Sequence, residues 1–163
     1  MSVIIALTPF VISGIAAVVS GAAAVSSHGH ANTVGENGEE LQVSITLPTI
    51  IRSEELLQKA LRNLGAGNIS SRTGEVQGNI DEFHVVFQKN TNGLFEIKFV
   101  GEIDLAEAEK FRSELQEEYG RVVQEYVYTQ LKQKAEEKGL SLENEVVQKD
   151  QSIVLTYNIN TNA

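Results

Sequence analysis

The chain has 163 residues and no cysteine, which excludes disulfides, thiolate metal sites and cysteine nucleophiles. Its 22 acidic and 13 basic side chains leave a net charge of −9, all of it after residue 35. A domain so charged is repelled by phosphate backbones and anionic headgroups, so nucleic acid is not an expected partner.

The first charged side chain is Glu36. Before it, Val3–Val25 holds no Asp, Glu, Lys or Arg. As a helix rising 1.5 Å per residue, this run would be about 34 Å long, against a hydrocarbon core of about 30 Å. The leader, residues 1–26, is therefore expected to be an apolar helix that crosses a membrane and meets its lipid. Two other readings stay open. One is a secretory signal peptide, with Ala22-Ala23-Ala24 as its cleavage site, although no Lys or Arg precedes Arg52. The other is a helix buried inside a homo-oligomer. Ser13, Ala17 and Gly21 form a small-residue seam at i, i+4, i+8 that lets two helices approach closely. Pro9 falls where a missing N–H matters least.

Residues 27–40 are polar and glycine-containing, and read as a flexible linker. His28 and His30 flank Gly29, with only Glu36, Glu39 and Glu40 nearby as further ligand types and no fixed scaffold, so they read as solvated histidines.

An α+β domain is expected over residues 41–158, followed by a polar tail at 159–163. Leu41–Pro48 alternates apolar and polar residues, as a half-buried strand does. Ser53 caps a helix with Glu54 and Glu55 in its first turn, and Gly65 ends it. Ile69–Ile80 reads as an edge strand or loop. Phe83–Gln88 and Leu94–Val100 read as strands joined at Asn92-Gly93, where both residues are expected to take positive φ. Asp104–Glu107 is a capping box that opens a long helix to Lys138. Tyr119 and Tyr126 are expected in its core face, and Gly139 stops it. Leu140–Val147 and Ser152–Tyr157 form a second hairpin. The expected architecture is one antiparallel-rich sheet with two helices on one face.

Four pieces carry a resemblance: LLQKALRNLGA (Leu56–Ala66), EVQGN (Glu75–Asn79), FHVVFQKNTNG (Phe83–Gly93) and QEYVYTQLKQKAEEKGLSLENEVVQKDQSIVLTY (Gln124–Tyr157). Over Ser44–Tyr157, about 70% of the chain, the sequence resembles a small uncharacterised domain of cyanobacteria, red-algal plastid genomes and scattered other bacteria. That family starts directly at its first strand, whereas this chain has a leader. Its second hairpin often turns at Asp-Gly, and here Asp150-Gln151 stands instead. The resemblance implies the fold and a cytoplasmic or stromal domain. It also implies an adaptor role beside an AAA-type ATPase. It brings no catalytic residues.

The chemistry-bearing patterns are thin. No phosphate-binding Gly-x-x-x-x-Gly-Lys run occurs. Gly65-x-Gly67-x-x-Ser70 follows a helix and opens none, so it fails as a dinucleotide fingerprint. His84 is the only domain histidine and a weak candidate base. The pairs Glu54/Glu55, Asp81/Glu82, Glu117/Glu118 and Glu136/Glu137 read as diverging, solvated carboxylates. Asn68-Ile69-Ser70 is a formal glycosylation sequon. The sequence thus points to no catalytic, cofactor or metal residue, and to a non-enzymatic, membrane-tethered adaptor. Its alternative is a structural homo-oligomer assembled through the apolar leader.

Overall fold

The computed structural model describes residues 2–8 and 44–159. Most of the leader, with Ser13, Ala17 and Gly21, lies outside the described residues. So do the linker with His28 and His30, residues 41–43, and the last four residues of the tail. The described chain is α+β, with two antiparallel sheets and two helices rather than the single sheet expected. It divides into two compact units, Ile12–Gln116 and Met1–Val11 with Glu117–Ala163.

The first of these units is built on a sheet of five strands. They are β2 (Ser44–Pro48), β3 (Gly67–Arg72), β4 (Glu75–Ile80), β5 (Phe83–Lys89) and β6 (Phe95–Val100), in the order β2-β6-β5-β4-β3. Alternation puts Leu47, Val76, Ile80, Val85, Phe87, Phe95, Ile97 and Phe99 on one buried face. Gln77, Asn79, His84, Gln88, Glu96 and Lys98 take the other. Where an edge strand or loop was expected at 69–80, there are two strands, joined at Thr73-Gly74 with Gly74 at φ +78°. Scattered polar residues hid them, because β3 is an edge and buries almost nothing.

Helix α1 (Glu54–Asn63) lies against β3 and β4 and buries Leu57, Ala60 and Leu61. The Leu56 amide donates to the Ser53 hydroxyl, as the capping pattern requires. Gly65, at φ +83°, donates to the Arg62 carbonyl, and Ala66 to the Leu61 carbonyl, closing the helix with a Schellman pair. Helix α2 (Leu105–Glu137) starts where the Asp104 carboxylate accepts from the Glu107 amide at 2.7 Å. Phe111 in its first turns meets Phe99 edge-on, with centroids 5.9 Å apart. At the β5–β6 turn only Gly93 has positive φ; Asn92 does not. Asn90 does the work expected of Asn92, its side-chain oxygen accepting from the Asn92 and Leu94 amides.

The second unit holds β1 (Ser2–Leu7), β7 (Leu140–Val147) and β8 (Ile153–Ile159), in the order β1-β8-β7. Ser2–Leu7, expected as the first turns of a helix, is therefore a strand. Its pairing with Ile153–Asn158 explains why: Ile5 and Leu7 turn inward beside Leu155 and Ile153, a period of two that a helix would scramble. Ala135 on α2 packs with Leu155 and Tyr157, and Ile5, Leu7, Tyr128, Leu140 and Ile153 surround them. Tyr126 does not join this core and is 49% exposed. The reason is angular. At about 100° per residue, Ala135 shares the face of Tyr128, and Tyr126 lies about 200° round from it. Tyr119 is buried, as expected.

Candidate functional site

The sequence's only candidate base sits on the polar face of the five-stranded sheet. His84 Nδ1 is 2.9 Å from Asn79 Oδ1, its register partner on β4. The structure thus gives it an amide neighbour. Glu117 and Glu118, expected to diverge, converge instead on Arg121, which donates to both. Asp81 and Glu82 form the β4–β5 turn. Gly65 and Gly67 cap a helix and open β3, away from any helix N-terminus. Among the described residues no group of three or more His, Asp or Glu side chains is placed to hold a metal.

A different cluster is assembled where nothing was expected. Lys132 Nζ donates to the Tyr128 hydroxyl at 3.0 Å and lies 5.0 Å above its ring. The hydroxyl donates to the Glu145 carboxylate, with both oxygens at 2.9 Å. Lys132 is also 3.8 Å from Glu145. Tyr128 and Lys132 are i, i+4 on α2, so the helix alone sets their pairing. Glu145 arrives by a bulge. Register runs from Leu142 opposite Tyr157 to Asn144 opposite Thr156, leaving Glu143 as the extra residue. Without it, alternation would put Glu145 on the far face of β7. No sequence signal marks that bulge.

The hydrogen bond to Tyr128 is the main cause of a Lys132 pKa above the ordinary lysine value. The contact thus favours the charged form of Lys132. Close by in charge interactions is Tyr157, whose pKa burial pushes up. It is 2% exposed, and its hydroxyl has no hydrogen-bond partner among the described residues. The arrangement clamps helix to sheet.

Two apolar surfaces stand out among the described residues. On the three-stranded sheet, Ala6, Val154 and Val146 form a row on the face turned away from α2, next to Ile4. Ile4 is 69% exposed and Val146 45%. On the other unit, a groove of about 190 Å³ runs between the β4–β5 turn and the first turns of α2. Its floor is Ile80, Phe83, Val85, Phe99, Ile103 and Phe111, and its rim Asp81, Glu107, Lys110 and Glu114. Both surfaces draw on elements far apart in sequence, which is why no local motif announces them. Among the described residues no helix is long and apolar enough to cross a membrane. No family model, curated protein or solved structure matches the chain.

Proposed function

We propose that this protein is a non-enzymatic interaction module whose apolar leader tethers it to a membrane. The observation that supports the module is the solvent-facing apolar row on the three-stranded sheet, flanked by edges unpaired among the described residues. Edges and apolar sheet faces of this kind are where other chains dock. The resemblance to the cyanobacterial and plastid domain supports an adaptor role, with an AAA-type ATPase as the partner class and a cytoplasmic or stromal domain. With Ser2–Leu7 in a sheet, residues 9–25 are left for anchoring. They are still free of charge and sit at the short end of spanning lengths.

A second reading is self-assembly through the N-terminal region. It is favoured by β1 itself, which carries no charge, proline or bulge along its free edge, whereas β7 has the Glu143 bulge and Glu145. Centrifugation of detergent-free extract, followed by light scattering, separates the two. The tethered module sediments with membranes and is released by detergent. Large discrete particles indicate assembly. A full-length protein that stays in the supernatant as a monomer defeats both.

A further inference from the structure

The groove on the unit Ile12–Gln116 offers a second binding surface, of different chemistry and independent of any anchor. At about 190 Å³ it is smaller than the 300–1,000 Å³ of ordinary ligand and cofactor sites. It suits one bulky side chain. Three phenylalanines, Phe83, Phe99 and Phe111, supply much of the apolar floor. Phe99 is almost fully buried, while Phe83 and Phe111 are half-buried and so reachable from outside.

The rim decides the occupant. It carries three carboxylates, Asp81, Glu107 and Glu114, against one cation, Lys110. Lys110 is 3.9 Å from Glu114 and so is already engaged. Neither Asp81 nor Glu107 has an ion-pair partner among the described residues. Asp81 also stands at φ +49° in a two-residue turn, a place where glycine is the usual choice. An apolar socket with a negative rim is complementary to an apolar residue flanked by cations.

We propose that this groove binds a peptide segment of a partner protein that inserts one bulky apolar side chain and lays lysine or arginine against Asp81 and Glu107. The chain's own apolar leader does not fit that description, since no Lys or Arg precedes Arg52.

The test uses the full-length protein in detergent and a phage-displayed random peptide library. Selected peptides should share one bulky apolar residue with Lys or Arg beside it. The best of them, labelled, should shift amide signals of residues 80–85, 99 and 103–114. Its affinity should fall about tenfold in the double variant Asp81→Asn, Glu107→Gln at low ionic strength, and less at high salt. Both positions are exposed, so the melting temperature should hold and confirm that the variant is folded. Selection of acidic or uncharged peptides, unchanged affinity in the double variant, amide shifts elsewhere, or no selected binder overturns the proposal. None of these outcomes bears on sedimentation with membranes, so the two proposals fail separately.

Discussion

The five-stranded unit and the three-stranded unit solve the same problem with unequal means. In the first, Phe87, Phe95 and Phe99 are sealed with Ile97, Val85 and Val76, and α1 adds Leu57 and Leu61. Each such side chain contributes roughly 1.5–3 kcal/mol. In the second, Tyr119, Val122, Ala135, Leu155 and Tyr157 are the buried apolar side chains described, and the Tyr157 hydroxyl has no hydrogen-bond partner among the described residues. Polar clamps make up part of the difference. Tyr128 ties α2 to β7 through Glu145, and Gln124 donates to the Leu7 and Gln151 carbonyls. Apolar side chains left over, Val3, Ile4, Leu142, Val146 and Val147, remain exposed. A unit with a thin core and a surplus of apolar surface is the one with most to gain from a partner.

The largest test of that contrast is Phe87→Ala. It removes a fully buried ring from the thick core and should cost about 3–5 kcal/mol in denaturant unfolding, with amide exchange rising first in β4–β6. The second probes the thin core from the opposite direction. Tyr157→Phe deletes the orphaned hydroxyl and should stabilise by about 1 kcal/mol at neutral pH. It should also flatten the alkaline limb of a stability–pH curve. Tyr157 is raised when folded, so its contribution is complete below the ordinary tyrosine value and is lost as pH climbs through the raised one. A destabilised Tyr157→Phe protein would reveal a partner for that hydroxyl and a richer core than described. The smallest effect is expected at Tyr126→Ala, below about 1 kcal/mol, because that ring is half in solvent. A loss of about 3 kcal/mol in thermal or denaturant melts would return Tyr126 to the core.

The five-stranded unit was also the more legible. Ser53, Gly65, Asp104 and Gly93 act within a few residues of themselves, so local chemistry found them. In the three-stranded unit the β7–β8 hairpin was read where it stands, and what was missed is β1, whose pairing joins the chain ends. Ser2–Leu7 belongs to an apolar run whose period could not separate strand from helix, and its partner lies about 150 residues away. Two sheets were read as one for the same reason, since strand order is a long-range property. The candidate surfaces were the least legible. The groove gathers a turn, three strands and a helix, while Glu145 reached Tyr128 only because one residue of β7 is out of step.

That extra residue also governs how this hairpin can change length. Strand β7 assigns each side chain a face by counting from its pairing with β8, and Glu143 shifts the count by one. Deleting it would turn Leu142 or Glu145 to the opposite face, depending on which end kept its register. A compensating insertion on the same strand would restore parity; one in the Gln148–Ser152 turn would leave it untouched. Length variants of this sequence are therefore expected to be tolerated better at the turn than in the middle of β7, where a single-codon deletion would change the face of several residues at once.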